Sequence, residues 1–150
     1  MIMEVGLLGQ LGIRAAFGLS ALGAIIGGAV VGAATIGAWK KAILMKKAPS
    51  FLLLAFAGQP FSNTIYGFIT MNVLMDAAGR GALNEYQLLF MGIFAGLGIG
   101  GACWAQCYCG AAASEMFVET DGKGYGHLLI IIGICETLAL LSMVFTIMYA

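Results

Sequence analysis

Residues 125–149 read YGHLLIIIGICETLALLSMVFTIMY, and this stretch sets the class of fold. Its 25 residues are apolar or weakly polar apart from His127 at the start and Glu136. About 20 apolar residues are needed for a helix to cross a bilayer, so the stretch predicts a transmembrane helix with Glu136 near its centre. A carboxylate at that depth is costly unless it is paired, hydrogen-bonded or protonated. Glu136 is therefore predicted to be a reversible binding site for a cation or a proton.

The whole chain has the composition of a membrane protein. It is 61% hydrophobic and 9% charged, whereas soluble domains carry about 25% charged residues. The 150 residues leave room for four spans with short connections. The net charge is zero, which argues against nucleic acid as a partner. We expect an all-α, multi-pass membrane protein with the lipid bilayer as its solvent.

The apolar runs predict four transmembrane helices, arranged as two tandem hairpins. The first hairpin occupies residues 1–80 and the second occupies residues 81–150, which contain Glu136. The four predicted helices run from about Leu8 to Ile43, Ser50 to Leu74, Tyr86 to Val118 and Tyr125 to Tyr149.

The two hairpins resemble each other in sequence, which indicates a duplication. In each, a helix rich in glycine and alanine is followed by a bulkier helix. Gly32-Ala33-Ala34 matches Gly110-Ala111-Ala112 at an offset of 78, and the bulkier helices superpose best at an offset of 75. The second offset sets Phe61 opposite Glu136, so the first hairpin lacks the carboxylate. The repeat is predicted to be parallel, unlike the inverted repeats of many transporters.

Small residues line the first and third predicted helices. Gly92, Gly96 and Gly100 recur every four residues and so share one helix face. Such a face allows two helix backbones to approach closely within a membrane. We therefore expect these helices to pack tightly against a neighbour.

Four lysines between the first two helices orient the chain in the membrane. They are Lys40, Lys41, Lys46 and Lys47. Loops rich in lysine and arginine remain cytoplasmic, so both hairpin loops are predicted to face the cytoplasm and both termini the opposite side.

Polar residues of the second predicted helix fall on one face. Gln59, Ser62, Asn63 and Tyr66 follow the spacing i, i+3, i+4, i+7 of a helix face. Pro60 lies among them and cannot donate a hydrogen bond to the carbonyl of Phe56, so a kink is expected there. The freed backbone oxygen is tolerable in a membrane only beside a partner.

The third and fourth helices add polar groups at the same depth. Gln106 lies in the third helix and Thr137 follows Glu136. Together with the second helix they offer one carboxylate and several neutral oxygens, which hard cations such as Na⁺ prefer. The alternatives are a permanently protonated acid and hydrogen bonds that merely join helices. The four cysteines are interpreted as small apolar residues of the core.

At this point the chain resembles a known family. The segment Gln59-Pro60-Phe61-Ser62-Asn63-Thr64-Ile65-Tyr66-Gly67 and the segment Cys135-Glu136-Thr137 are similar to the proteolipid (K or c) subunit of V-type rotary ATPases. The resemblance covers nearly the whole chain, including the glycine-rich helices and the single glutamate of the fourth helix.

The resemblance implies a rotor and a set of site residues. The chain would form a closed ring of identical subunits that turns against a stator membrane subunit (a/I type) and a central stalk. It would be non-catalytic itself, with ATP hydrolysis in partner subunits. Carried over by position, the residues implied to bind an ion are Glu136, Gln106, Ser62, Asn63, the main-chain carbonyl of Gln59, and Tyr66, which steadies the glutamate. The stalk-docking face is predicted to comprise Lys40, Lys41, Lys46, Lys47, Glu115 and Glu119.

Two departures from the family pattern bear on the ion. Phe61 and Asn63 stand where glycine and glutamine are usual, and asparagine is one methylene shorter than glutamine. The oxygen types are nevertheless retained, so Na⁺ is favoured over H⁺. The alternative hypotheses are a small four-helix, cation-coupled exporter with one membrane glutamate, and a structural four-span protein without transport. A large ring in mild detergent would distinguish the rotor from the exporter.

Overall fold

The computed structural model describes residues 5–150, so the position of residues 1–4, and with it the predicted side of the N-terminus, lies outside the described part. The described residues form helices and connecting turns, without a β-strand. This confirms the predicted all-α membrane fold. The elements are α1 (Leu7–Leu44), one 3-10 turn (Phe51–Leu53), α2 (Leu54–Ala57), α3 (Gln59–Gly79), α4 (Glu85–Glu119) and α5 (Tyr125–Tyr149).

Three predicted helices match the structure within one residue at each end, namely α1, α4 and α5. The second prediction, Ser50 to Leu74, was wrong at its C-terminal end, because α3 continues to Gly79. The kink expected at Pro60 is present as an interruption of the helix at Gly58. The interruption follows from Pro60, which lacks an N–H and is tolerated only in the first turn of a new helix. The later end reflects the turn that follows, where Gly81 has a left-handed φ of 66°.

Length and composition identify three helices of residues 5–150 that could cross a membrane: α1, α4 and α5. The second predicted span is divided at Gly58, and α3 contains polar residues along its length. It still completes the first hairpin, because α3 packs against α1, α4 and α5.

The two glycine-rich helices pack against each other along most of their length. α1 and α4 run parallel, with Gly9 beside Glu85 at one end and Lys41 beside Glu119 at the other. A Cβ atom added to Gly92 would collide with the backbone of Gly12, and one added to Gly23 with the backbone of Gly100. The predicted close approach is therefore made by glycine on both helices.

The two bulkier helices, α3 and α5, pack against this pair. α3 contacts α1 where Gly67 leaves room for Ser20. α5 packs against α4 and α3 but is the least covered helix, with only Ile132 and Ala139 buried. Tyr125, Leu128 and Leu129 pack against the core, and many of its other apolar side chains are exposed, as expected for a helix that meets lipid or a neighbouring subunit.

Candidate functional site

The interruption at Gly58 shapes one wall of the site. Gln59 begins α3, and its side-chain Nε2 donates to the carbonyl of Ala55 at 2.7 Å, one turn earlier. The Ser62 hydroxyl donates to the main-chain carbonyl of Gln59 at 2.9 Å. Side chains thus satisfy backbone oxygens at the break, which an apolar environment requires.

Glu136 faces this wall from the middle of α5. Its Oε1 accepts a hydrogen bond from the Tyr66 hydroxyl of α3 at 2.9 Å. Its Oε2 accepts from Nε2 of Gln106 on α4 at 3.4 Å. The carboxylate is half-buried, and each of its oxygens faces a donor from a different helix.

A chain of side-chain amides extends from the carboxylate toward the interior. Nε2 of Gln106 also donates to Oε1 of Gln59 at 2.8 Å. Nδ2 of Asn63 donates to Oε1 of Gln106 at 2.6 Å. Asn63 and Gln106 are both 0% exposed. The buried Oδ1 of Asn63 accepts no hydrogen bond within residues 5–150, which is unusual because buried polar atoms are nearly always paired.

The structure brings together the residues predicted for the ion site. Side-chain hydrogen bonds join Glu136, Gln106, Gln59, Asn63 and Tyr66, and the Ser62 side chain interacts with that of Tyr66. Two other residues lie elsewhere. The hydroxyl of Thr137 donates to the carbonyl of Ile134 and is exposed. Phe61, which replaces the usual glycine, is 73% exposed and points away from the amide chain.

Helix spacing placed Gln59 on the polar face of the second predicted helix, whereas the family resemblance assigned only its main-chain oxygen to the ion. The structure places Oε1 of Gln59 and Oε2 of Glu136 on the same donor, Nε2 of Gln106. The signal was available, because Gln59 lies three residues before Ser62 and so shares its helix face.

The cysteines do not assemble a metal centre. Among residues 5–150, no cluster of three or more histidine, cysteine, aspartate or glutamate side chains could hold a metal ion. Cys103 and Cys107 are buried in α4, as expected for core residues, and all four cysteines are free thiols.

The residues predicted for stalk docking lie around the two hairpin loops. Lys41 pairs with Glu119 at 2.5 Å, and Lys47 pairs with Asp121 at 2.6 Å. Lys40, Lys46 and Glu115 are exposed at the same end of the molecule. Exposed ion pairs contribute little stability each, so this end is a mixed-charge surface rather than a purely basic one.

The arrangement can hold a small cation or a proton reversibly. One carboxylate lies beside two amide side chains and a phenol in the apolar part of the helix bundle. The neutral groups can orient the carboxylate, and their oxygens can replace the hydration shell of a hard cation.

Comparison with known protein families identifies a match in the second hairpin. Residues 89–149 match the family model described as the C subunit of ATP synthase. The matched stretch contains most of α4 and all of α5, and therefore both Gln106 and Glu136. No curated protein matches the chain.

Proposed function

We propose that the chain is a rotor-ring (K/c) subunit of a V-type ATPase that carries Na⁺ across the membrane, since its second hairpin matches the rotor proteolipid family of ATP synthase. Glu136 binds and releases the ion as the ring turns. ATP hydrolysis in partner subunits is coupled to that movement.

The family match supports the coarser part of this proposal directly. Members of the matched family are non-catalytic rotor proteolipids, so the chain is not an enzyme on its own. Proteins of this family form a ring with further copies of the same proteolipid beside an a-type stator subunit. The apolar helices agree with a multi-pass membrane protein.

One observation carries the proposal: Glu136 lies at mid-span and is held by donors from two other helices. Tyr66 and Gln106 each contact one carboxylate oxygen. A carboxylate that merely packed as a neutral acid would not need two donors, since the protonated group supplies a donor of its own. The arrangement favours a group that is ionised in part of its working cycle.

The surrounding oxygens favour Na⁺ over a proton. A proton needs the carboxylate and one orienting group, whereas Na⁺ needs several oxygens at once. The amide oxygens of Gln59, Asn63 and Gln106 and the hydroxyl of Ser62 lie in the same network as Glu136. This is more oxygen than proton binding requires.

Two fused hairpins support the V-type assignment. The residues Lys46 and Asp121 both adopt left-handed backbone conformations, with φ values of 57° and 54°. They lie 75 positions apart, the offset at which the bulkier helices superpose. Lys47 N–H bonds to the carbonyl of Ala42, and Gly122 N–H bonds to that of Phe117, which repeats the same helix-end geometry.

The fusion has a mechanical consequence. Two hairpins share one carboxylate, so a ring carries one ion for every four long helical segments. Fewer ions then move per turn and per ATP. Such a ratio suits pumping against a steep gradient, and ATP synthesis with the same rotor would need a larger ion-motive force.

The proposal can be tested by labelling Glu136 with a carbodiimide in the isolated ring. Carbodiimides react with the protonated acid. Bound Na⁺ keeps Glu136 ionised through direct charge compensation, so millimolar Na⁺ should slow the labelling. The protection should weaken as the pH falls, because protons compete for the same carboxylate.

The control replaces Na⁺ by K⁺ at constant ionic strength and pH. Labelling that is independent of Na⁺ at several pH values would contradict the sodium assignment and leave a proton-carrying rotor. The absence of a labelled, ring-sized particle would contradict the rotor itself.

A further inference from the structure

The side chain of Gln59 occupies an unusual place between the helix break and the carboxylate. Its Nε2 donates a hydrogen bond to the main-chain carbonyl of Ala55 at 2.7 Å. This contact fixes the amide plane, so its Oε1 must point the other way. There it meets Nε2 of Gln106 at 2.8 Å.

Two oxygens therefore converge on a single donor group. Nε2 of Gln106 lies 2.8 Å from Oε1 of Gln59 and 3.4 Å from Oε2 of Glu136. One of these oxygens belongs to a carboxylate and the other to a neutral amide. Both oxygens border the position of Nε2 of Gln106, and both are of the hard type that a small cation prefers.

We propose that Oε1 of Gln59 is a direct ligand of the transported Na⁺, and that the Gln106 amide turns over when the ion binds. This inference rests on the proposed sodium function. Turning the amide exchanges its two ends, so that Oε1 of Gln106 faces Glu136 and Gln59. Three oxygens from three helices then surround the ion: one from α3, one from α4 and one from α5.

The turned amide of Gln106 needs a new acceptor for its Nε2, and the structure holds one. Oδ1 of Asn63 is fully buried and accepts no hydrogen bond within the described residues. Asn63 already contacts Gln106 through Nδ2 at 2.6 Å. If both amides turn, Oδ1 of Asn63 accepts from Nε2 of Gln106, and Nδ2 of Asn63 gives up its bond to Oε1 of Gln106 in exchange, so the two side chains keep one hydrogen bond between them.

The proposed ligand role also gives a reason for a glutamine side chain at position 59. Asn63 is one methylene shorter than the residue usual at its position, and its amide is engaged with Gln106 rather than with Glu136. The longer side chain of Gln59 reaches the carboxylate region from one turn earlier. Proton binding requires no additional oxygen ligand, so the oxygen of Gln59 should matter for Na⁺ binding rather than for H⁺ binding.

The test compares Na⁺ protection of Glu136 in rings of the native protein and of Gln59→Met. Methionine keeps the length of the side chain and removes the amide oxygen. We expect the Na⁺ concentration for half protection to rise about tenfold or more, as for lost metal-site interactions. Each ring's labelling rate in K⁺ serves as its own reference, because Gln59 and Glu136 share the donor Nε2 of Gln106.

Thr64→Val is the matched control, because the Thr64 hydroxyl bonds only to the carbonyl of Pro60 on the same helix, at 3.1 Å. It should leave Na⁺ protection unchanged. Equal Na⁺ protection in native and Gln59→Met rings would overturn the ligand role of Gln59 and leave the sodium function standing. No protection of the native ring would overturn both.

Infrared difference spectra of the ring with and without Na⁺ report on the amides themselves. With glutamine labelled by ¹³C at the side-chain carbonyl, Na⁺ should shift the bands of Gln59 and Gln106 in the native ring. Gln59→Met should lose one of the two shifts, which a purely structural role would not produce. A spectrum without any Na⁺-sensitive glutamine carbonyl would overturn the turning of Gln106.

Discussion

The side-chain hydrogen-bond donors to Glu136 come from helices other than its own. Tyr66 donates to one carboxylate oxygen and Gln106 to the other, from α3 and α4 respectively. A hydrogen bond to a carboxylate favours its ionised form. In the proposed function, the affinity of Glu136 for its ion therefore depends on contacts with α3 and α4.

Replacing Glu136 by glutamine should abolish ion transport and leave the ring assembled. The amide has nearly the same volume and can keep the hydrogen bond from Tyr66, but it cannot alternate between charged and neutral forms. ATP-driven ²²Na⁺ uptake into vesicles measures transport, and native gel electrophoresis measures assembly. Glu85→Gln, at the outer end of α4, is the control and should pump normally. Substantial pumping by Glu136→Gln would mean that another group carries the ion.

Replacing Tyr66 by phenylalanine should change the reactivity of Glu136 toward carbodiimides, because the carboxylate loses the hydrogen-bond donor on Oε1. Hydrogen bonds to charged groups contribute about 1.5–3 kcal/mol net, which corresponds to a factor of about 10 to 150 in an equilibrium constant. Carbodiimide labelling in K⁺ at neutral pH should accelerate by up to that factor. Tyr108→Phe removes a hydroxyl from an exposed tyrosine that packs beside Trp104, and it should label at the native rate. Unchanged labelling of Tyr66→Phe would show that the phenol does not steady the carboxylate.

At the scale of elements, the contact between α1 and α4 is made by backbone against backbone. Gly23 faces the main chain of Gly100, and Gly92 faces that of Gly12. α3 packs against α1, and α5 packs against α4. The interrupted segment of α2 and α3 then brings Gln59 to the carboxylate.

Gly23→Ala should therefore destabilise the protein, since its new methyl group would overlap the backbone of Gly100. Overpacking of this kind costs about 1–3 kcal/mol. Thermal unfolding of the ring in mild detergent should occur at a clearly lower temperature. Gly32→Ala, on the same helix, is the control, because its Cβ would meet nothing within 4 Å. Equal melting temperatures for the two variants would contradict the close contact of α1 and α4.

At the scale of the whole molecule, the two hairpin loops form one end. Lys41, near the end of α1, pairs with Glu119, at the end of α4, and Lys47 pairs with Asp121. Two ion pairs therefore join the loop ends of the two hairpins. Lys40, Lys46 and Glu115 add exposed charge beside them. This end is our candidate surface for the central stalk.

The topology prediction places this end in the cytoplasm. Single cysteines introduced at Lys46 and Gly81, in a protein lacking the native cysteines, should respond differently to an impermeant thiol reagent outside intact cells. Both positions are exposed in the folded chain, so access depends on the side of the membrane. We expect position 81 to be labelled, and position 46 only after permeabilisation. Labelling at position 46 alone would reverse the topology.

The helices that the sequence predicted well are those with uninterrupted apolar runs. α1, α4 and α5 were predicted within one residue at each end, and turn-forming residues precede all three helices. The second segment was predicted with its kink at Pro60 but to end at Leu74 rather than Gly79, five residues too short, because helix-forming sequence continues past Leu74 without a break. The residues of the ion site were predicted from spacing and resemblance, and the structure gathers them around Glu136.

Local hydrophobicity and helix period were enough to predict the membrane class, the helical fold and the position of Glu136 in the middle of its helix, because each follows from the order of residues alone. Tertiary packing was needed to establish which atoms meet: the phenol of Tyr66 and the amide of Gln106 on the carboxylate, the side chain of Gln59 beside it, and the unpaired oxygen of Asn63. The physical reason is that hydrogen bonds between helices depend on their rotation and relative height. Those are set by backbone contacts such as that of Gly23 with Gly100, which no pattern within a single helix specifies.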